Sequence, residues 1–148
     1  MNVLMVCLGN ICRSPLAEGI LASKAPDHWT VDSAGTSAYH DGERPDTRSI
    51  LTARQHGLDI DHQRSRPVVL EDFERFDILF AMDQSNFNYL RNMAPHEAAA
   101  QKVRLLMNES RPGMNTPVPD PYTGGQQGFE LVYQMIEEAV DSFLQKHT

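Results

Sequence analysis

Four short apolar segments along the chain have the length and composition of β-strands, and they cover residues 2–6, 29–33, 77–82 and 102–107. Most of them lack a strict alternation of apolar and polar positions. Continuous apolar composition is typical of strands that are covered on both faces, as in a parallel sheet. The pattern therefore predicts four buried strands.

Between these segments, apolar positions recur every three to four residues, which indicates amphipathic helices. After the first strand, Ser14 is predicted to be the N-cap and Pro15 the first helical residue. Asp46 and Asp83 are predicted to cap two further helices, and Gly57 to end the first of them. The final helix is predicted to bury one face, formed by Phe129, Val132, Tyr133, Ile136, Val140, Phe143 and Leu144.

The alternation of strands and helices predicts an α/β fold, with a small, doubly wound, four-stranded parallel sheet and helices on both faces. No repeat or linker divides the sequence, so residues 1–148 are predicted to form a single domain. Residues 111–128 are rich in Pro and Gly and are predicted to form a long loop, which in compact domains is usually functional. Ligands of such folds bind beyond the carboxyl ends of the strands.

The charge balance argues against two classes of partner. The 13 Lys and Arg residues against 20 Asp and Glu give a net charge of −7, whereas non-specific binding to nucleic acid or to anionic membranes depends on a basic surface. The apolar run at residues 3–8 is too short to span a bilayer. Only two cysteines occur, Cys7 and Cys12, too few for a secreted disulfide scaffold. We therefore expect a cytoplasmic protein with no nucleic-acid partner and no membrane insertion.

The segment Cys-Leu-Gly-Asn-Ile-Cys-Arg-Ser-Pro at residues 7–15 lies between the first predicted strand and the first predicted helix. A loop in this place is able to turn its amide N–H groups inward and bind an anion, and the helix dipole adds positive charge there. Arg13 supplies a planar fork for two oxyanion oxygens. Gly9 and Asn10 tolerate the left-handed backbone angles of a tight loop. The segment therefore predicts an oxyanion-binding loop.

Cys7 is the candidate nucleophile of this loop. The same positive field favours the thiolate form of Cys7, and Ser14 is placed to donate a hydrogen bond to its sulfur. An isolated cysteine at a strand end is more often a small buried apolar residue, but the complete segment favours chemistry at Cys7. Cys12, taken alone, is more consistent with packing than with chemistry.

Residues 7–15 resemble the active-site loop of the low-molecular-weight protein tyrosine phosphatases. Other segments resemble the same family in order and spacing, so that the similarity covers nearly the whole chain. These segments are residues 32–37, His56 and Gly57 with His62, residues 81–86 and residues 120–122. The resemblance implies a cysteine-dependent phosphoric monoester hydrolase that acts on phosphotyrosine without a metal or other cofactor.

The resemblance also implies a role for each residue of the site. Cys7 would be the nucleophile that takes the phosphoryl group, Arg13 would hold its oxygens, and Asp120 would be the general acid that protonates the leaving phenolate. By itself an aspartate before a proline is ordinary turn chemistry, so the role of Asp120 depends on the resemblance. Cys12 resembles the neighbouring thiol that protects an oxidised nucleophile by forming a disulfide.

Further positions resemble residues that form or surround the phosphate-binding loop, which comprises Leu8, Gly9, Asn10, Ile11, Cys12, Arg13 and Ser14. The residues that would hold this loop in shape are Asn10, Ser14, Ser33 and His62. Asp83 is expected to be a helix cap first and a supporting residue second. The side chains that would form the walls around the substrate ring are Leu8, Ile11, Tyr39 and Tyr122. Aromatic walls suit a flat phenyl phosphate.

Two positions indicate which branch of the family the chain resembles. The arginine phosphatases, which have a similar loop, carry threonine where this chain has Ile11. Animal members have a second tyrosine in the late loop, where this chain has Thr123 after Tyr122. The resemblance is therefore to the bacterial type, for which the family points to autophosphorylated tyrosine kinases of polysaccharide export as phosphotyrosyl protein substrates.

Two hypotheses of other classes compete with a phosphatase. Thiol-dependent arsenate reductases share the fold and the loop, but they use two further cysteines near the third strand, and residues 77–100 contain none. A non-catalytic oxyanion-binding module of the same fold would be expected to lack the nucleophile, the arginine or the acid. All three are present, so the phosphatase hypothesis is favoured.

Overall fold

The sheet of the computed structural model, which describes residues 1–147, consists of four parallel strands. The strands are β1 (Asn2–Cys7), β2 (Thr30–Gly35), β3 (Ile78–Ala81) and β4 (Val103–Leu105). Their order across the sheet is β2-β1-β3-β4, and every neighbouring pair is parallel. The predicted α/β class with a four-stranded parallel sheet is therefore confirmed.

The helices in this described part of the chain connect the strands and follow the last one. They are α1 (Arg13–Lys24), α2 (Thr47–Gln55), α3 (Asp72–Arg75), α4 (Gln84–Met93), α5 (Glu97–Ala100), a 3-10 helix (Leu106–Glu109) and α6 (Gln126–His147). Over residues 1–147, none of them has the length and apolar composition needed to cross a membrane.

The side chains of β1 alternate between two apolar layers, one on each face of the sheet. Val3 and Met5 face the layer that contains α1, α2 and α6, whereas Leu4 and Val6 face the layer that contains α3, α4 and α5. All four side chains are completely buried. Burial on both faces explains why the sequence of this strand has no alternating polar positions.

The helix caps that depend on a single aspartate are confirmed. Asp46 caps α2 by accepting a hydrogen bond from the amide of Arg48 at 2.9 Å, and Asp83 caps α4 by accepting one from the amide of Asn86 at 2.8 Å. Gly57 follows α2 with a φ of 82°, in the left-handed region that favours glycine at a helix end.

The predicted N-cap of α1 is wrong. The helix begins at Arg13, immediately after Cys12, and no side chain among residues 1–147 caps it. Ser14 lies inside the first turn, where its hydroxyl group accepts a hydrogen bond from Asn10 and contacts the sulfur of Cys7. A cap needs its side chain free to bond the helix amides, and that of Ser14 is engaged in the neighbouring loop.

Several predicted ends of elements are also wrong. β2 covers residues 30–35 rather than 29–33. β4 ends at Leu105 because Leu106 and Met107 turn into the 3-10 helix, where both side chains are buried in the core. The loop predicted over residues 111–128 ends earlier, since α6 begins at Gln126 and Gly128 is helical.

Candidate active site

Three predicted site residues lie beyond the carboxyl ends of the parallel strands. Cys7 is the last residue of β1, and Asp83 follows β3 as the cap of α4. Asp120 lies in the loop that precedes α6, and the amide of Val118 donates to the carbonyl oxygen of Met82 at 2.8 Å. That bond brings the loop to the end of β3. The topology therefore gathers the three residues at one edge of the sheet.

In the backbone of residues 7–13, here named the Cys7 loop, most carbonyl groups accept hydrogen bonds from neighbouring segments. The carbonyls of Cys7 and Leu8 accept from the amides of Thr36 and Ser37 at 2.9 and 3.0 Å. Asn10 has a φ of 57°, in the left-handed region. Within the described chain, the amides of residues 8–12 donate to no other group. Bonded carbonyls together with successive free amides suit an anion-binding nest.

Asn10 holds the interior of the Cys7 loop through its side-chain amide. Its Nδ2 donates to Ser14 Oγ at 2.8 Å and to Ser33 Oγ at 3.0 Å, and its Oδ1 accepts from the amide of Arg66 at 3.1 Å. The amide of Arg66 is a donor, so the acceptor must be the oxygen of Asn10. The orientation of the Asn10 side chain is thereby fixed.

A carboxylate below the loop sets the direction of this network. Ser33 Oγ donates its only hydrogen to Glu18 Oε1 at 2.6 Å, and burial raises the pKa of Glu18 to about 7. Ser33 and Ser14 both accept from Asn10, so the hydroxyl hydrogen of Ser14 is free to point at Cys7 Sγ, 3.0 Å away. The network therefore ends in a hydrogen-bond donor directed at the sulfur.

Arg13 projects from the first turn of α1, and only 3% of its side chain is exposed. Its Nη1 donates to Asp83 Oδ2 at 2.7 Å and to the carbonyl oxygen of Val118 at 3.1 Å. Burial by itself would lower the pKa of Arg13, but Cys7, Asp83 and Asp120 together hold that pKa above its ordinary value. The guanidinium group is therefore a fixed positive charge beside the Cys7 loop.

Residues 118–125, here named the Asp120 loop, are much more exposed. The side chain of Asp120 is 47% exposed, and its Oδ2 lies 3.8 Å from Arg13 Nη2. Its other oxygen, Oδ1, accepts a hydrogen bond from the amide of Tyr122 at 3.1 Å. One carboxylate oxygen is thus tied to its own loop, while the other faces Arg13.

An open cleft of about 520 Å³ lies between the two loops, a size suited to a small ligand. Its lining consists of Cys7, Leu8, Gly9, Ile11, Cys12, Arg13, Ser37, Tyr39, His40, Asp120 and Tyr122. The predicted nucleophile, arginine, acid and wall residues therefore all reach one cavity. Over residues 1–147, no group of His, Cys, Asp and Glu side chains is arranged to hold a metal ion.

The rim of the cleft is largely aromatic. Leu8, Tyr39 and Tyr122 are exposed, and the ring of His40 lies between the two tyrosines, with centroid distances of 4.8 Å to Tyr39 and 6.4 Å to Tyr122. His40 was not found from the sequence. Its position depends on residues 36–45 folding back over Gly9, for which the sequence carries no local signal.

His62 does not join the loop network. It is exposed, and within residues 1–147 it has no hydrogen bond to the Cys7 loop. The contacts from that segment come instead from Ser65, whose Oγ donates to the carbonyl of Gly9 at 3.0 Å, and from Arg66. The expectation for His62 is therefore not supported by the geometry.

Both cysteines are buried and free. Cys12 is adjacent to Arg13 and lines the base of the cleft with Cys7. Burial, reinforced by the nearby Asp46, raises the pKa of the Cys12 thiol well above its ordinary range. The sulfur of Cys12 therefore keeps its proton at neutral pH.

A family model described as low molecular weight phosphotyrosine protein phosphatase matches residues 2–147. The chain belongs to this family. It is 40% identical to the low molecular weight protein-tyrosine-phosphatase of Streptomyces coelicolor, over 97% of this chain and 91% of that protein. Members of the low molecular weight phosphotyrosine protein phosphatase family are hydrolases, and the predicted enzyme class is thereby confirmed.

Solved structures of similar proteins agree with this membership. A protein tyrosine phosphatase from Entamoeba histolytica superposes with a TM-score of 0.92 at 39% identity, over 99% of this chain and 96% of that one. A Drosophila arginine phosphatase superposes with a TM-score of 0.91 at 36% identity, over 100% and 98% of the two chains. A tyrosine phosphatase and an arginine phosphatase thus both have the same fold as this chain.

Proposed function

We propose that this protein hydrolyses phosphotyrosine in proteins through a phosphocysteine intermediate on Cys7. Arg13 holds the phosphoryl oxygens, and Asp120 is the general acid. The observation that carries this proposal is the convergence of the three side chains on one cleft, whose floor is the Cys7 loop with its free amides. We further propose that residues 1–148 act as one phosphatase domain, of which Thr148 lies outside the described residues.

In the first step the thiolate of Cys7 attacks phosphorus, so that an S–P bond forms while the bond from phosphorus to the phenolic oxygen breaks. Arg13 and the loop amides bind the oxygens that carry the charge of the transition state. Asp120 gives its proton to the leaving oxygen, because phenolate is too basic to leave unprotonated at neutral pH. The free tyrosine side chain is the first product.

In the second step water attacks the phosphocysteine. Asp120, now ionised, takes a proton from the water, and the S–P bond breaks to release inorganic phosphate. The hydroxyl group of Ser14, 3.0 Å from the sulfur of Cys7, stabilises the thiolate that leaves. Asp83 supports both steps by holding Arg13 at 2.7 Å.

The walls of the cleft favour a flat aromatic substrate. Leu8, Ile11, Tyr39 and Tyr122 enclose the space above the Cys7 loop, and His40 extends the aromatic surface between the tyrosines. A phenyl ring fills such a slot, whereas phosphoserine has no ring. The apolar side chain of Ile11 offers no hydrogen-bond partner to a phosphorylated guanidinium group, so we place phosphotyrosine ahead of phosphoarginine.

The natural substrate and its location are proposed from the family resemblance. We infer a phosphotyrosyl protein, in a bacterium an autophosphorylated tyrosine kinase of polysaccharide export. A cytoplasmic location suits the chemistry, because Cys7 must stay reduced to act and the cytoplasm keeps thiols reduced. We also propose that Cys12 captures Cys7 after oxidation: Cys12 gives up its thiol proton, its sulfur attacks a sulfenic acid on Cys7, the S–S bond forms, and the sulfenic hydroxyl group leaves with that proton as water.

Peptides of one sequence that carry phosphotyrosine, phosphoserine or phosphoarginine test the substrate class. We expect kcat/KM for the phosphotyrosyl peptide to exceed the others by at least about 10²-fold, because only its ring fills the walls. A preference for phosphoarginine would assign the protein to the other kind of phosphatase with this fold. Equal rates on all three peptides would contradict a specificity set by the aromatic walls.

A further inference from the structure

The first turn of α2 contacts both catalytic loops. On one side the amide of Asp46 donates to the carbonyl of Ile11 at 2.7 Å, and Ser49 Oγ donates to the carbonyl of Cys12 at 3.1 Å. On the other side Arg48 reaches the Asp120 loop, where it donates to the carbonyls of Tyr122 and Gly124 at 2.8 and 2.9 Å. This turn therefore bridges the loop that holds the nucleophile and the loop that holds the acid.

The guanidinium group of Arg48 is fixed by more contacts than an ordinary surface arginine makes. Its Nε and Nη2 each donate at 3.0 Å to one of the two carboxylate oxygens of Asp46. Its Cζ also lies 4.5 Å from the ring centroid of the buried Phe129 and 5.7 Å from that of Tyr122. A planar group with forked donors is required to satisfy these partners at once.

The backbone of Tyr122 links Arg48 to Asp120. Its carbonyl oxygen accepts from Arg48, and its amide donates to Asp120 Oδ1 at 3.1 Å. The other end of the Asp120 loop is held at Val118, by Met82 and Arg13. Between Tyr122 and α6 the loop has only exposed residues, two of them the glycines Gly124 and Gly125. Arg48 is therefore the side-chain anchor at the carboxyl-terminal end of the loop.

We propose that Arg48 is a positioning residue, which holds the carboxyl group of Asp120 where it gives its proton to the leaving phenolate. This inference rests on the proposed role of Asp120 as the general acid. Arg48 is not among the residues that line the cleft, so it acts through the Asp120 loop and not on the substrate. Its loss leaves the Cys7 loop and Arg13 in place to bind the phosphoryl group.

The variant Arg48→Met tests the inference through the leaving group. We measure kcat/KM for a series of aryl phosphates whose phenols differ in acidity, because only basic phenolates need the proton. A positioned acid is worth about 10²–10⁴-fold, so we expect kcat/KM for phosphotyrosine to fall by roughly 10–100-fold. For dinitrophenyl phosphate we expect a fall of less than about 3-fold, since that phenolate leaves unaided. Inhibition by vanadate should be unchanged.

Three further variants make the result decisive. Arg48→Lys keeps the charge and the stem but has one nitrogen in place of the fork, so it should restore part of the lost rate. Arg54→Met, on the same helix, removes only an exposed pair with Asp61 at 3.6 Å and should match the wild type. Asp120→Asn removes the acid completely, so it shows the largest dependence of kcat/KM on phenol acidity with which the Arg48 variants are compared.

The possible outcomes distinguish a failure of the positioning role of Arg48 from a failure of the general-acid role of Asp120. If Asp120→Asn depends steeply on phenol acidity while both Arg48 variants behave as the wild type, Arg48 has no positioning role. If Arg48→Met lowers the rate equally for all substrates, with a lower melting temperature, the residue is structural and the inference is wrong. If Asp120→Asn shows no such dependence, the assignment of the acid itself fails.

Discussion

The Cys7 loop and the Asp120 loop face each other across one cleft but are built in opposite ways. Asn10, Cys12 and Arg13 in the first loop are almost fully buried, and the loop joins a central strand to a helix. The Asp120 loop lies at the surface, and it is held near Val118 and near Tyr122. One loop belongs to the core, and the other is attached to it at two places.

This difference follows from the two tasks. Stabilising a phosphoryl transition state requires amides and a guanidinium group that point at the oxygens before the substrate arrives, since any reorganisation would add to the barrier. A general acid must meet the leaving oxygen of a bulky protein substrate, which requires access from solvent. Replacing the nucleophile in the first loop should therefore abolish chemistry, and replacing the acid in the second should change how the rate depends on the substrate.

The largest effect is expected for Cys7→Ser, the replacement at the centre of the buried loop. A serine hydroxyl with no adjacent base is a poor nucleophile, so turnover should fall below a few per cent of the wild-type rate. Vanadate should still bind, because Arg13 and the loop amides remain. Rapid quenching with labelled substrate should trap a phosphoenzyme in the wild type and none in the variant. Substantial turnover by the variant would disprove the covalent step.

Asp120→Asn, in the exposed loop, should produce a selective effect. An asparagine has the same size but no acidic proton, so kcat/KM for phosphotyrosine should fall by about 10²–10⁴-fold. A phosphate of an acidic phenol should be far less affected. The control is Asp83→Asn, because Asp83 is the other carboxylate on Arg13 and should change the rate without changing its dependence on phenol acidity. If the dependence on phenol acidity appears in Asp83→Asn instead, the general acid is Asp83 and the assignment of Asp120 is wrong.

A smaller effect, on the recovery of activity after oxidation, should distinguish the roles of Cys7 and Cys12 in the buried loop. Mild peroxide should inactivate the wild type by oxidising Cys7, and a thiol reductant should restore activity if Cys12 has captured the sulfenic acid as a disulfide. In Cys12→Ser the recovered fraction should fall several-fold, since Cys7 is then free to oxidise further. The measurement is activity before peroxide, after peroxide and after reductant. Equal recovery in both proteins would leave Cys12 with a packing role alone.

The smallest effect concerns Glu18, the carboxylate next to the buried loop, and the pH dependence of the free energy of unfolding. Burial raises the pKa of Glu18 from 4.5 to about 7, so the folded state binds a proton more tightly than the unfolded state. The resulting stabilisation is complete below pH 4.5 and is lost as the pH rises through about 7. Glu18→Gln keeps an oxygen that accepts from Ser33 and avoids the buried charge. Its free energy of unfolding should exceed that of the wild type by about 1–3 kcal/mol at pH 8.

Urea denaturation at pH 8 and pH 4 measures that difference, which should nearly vanish at the lower pH. The exposed Glu74→Gln is the matched control and should leave the pH dependence unaltered. The wild type should lose more free energy of unfolding between pH 4 and pH 8 than Glu18→Gln does. If both proteins lose the same amount, Glu18 is not strongly desolvated.

Local patterns were sufficient to predict most of the fold. The strands of the parallel sheet and the caps at Asp46 and Asp83 depend on short stretches of chain, and these predictions are confirmed. The failures involve competition from contacts that the local pattern does not show. Ser14 has the right side chain for a cap, but Asn10 and Cys7 engage it, and Leu106 leaves the strand to bury itself in the core.

The candidate site divides in the same manner. Cys7, Arg13 and Ser14 were recognisable because they belong to one continuous motif. Glu18 and Arg48 were not, since each acts through partners far away in the sequence: Ser33 for the first, and the backbone of Tyr122 for the second. Glu18 carried no signal, because it lies outside the apolar face of α1, which consists of Leu16, Ala17, Ile20 and Leu21. Arg48 carried none, as an arginine after a capping aspartate is unremarkable by sequence.

One absent side chain limits how far this family member could be redesigned. A methyl group at Gly35, the end of β2, would lie 2.7 Å from the carbonyl oxygen of Leu8 and 3.1 Å from that of Ser37. Both atoms are backbone, so neither is able to rotate away. Any side chain at position 35 therefore has to shift the backbone of the Cys7 loop. In a library with every position randomised, we expect glycine to be strongly enriched at position 35 among active clones, although this residue is no part of the lining of the cleft.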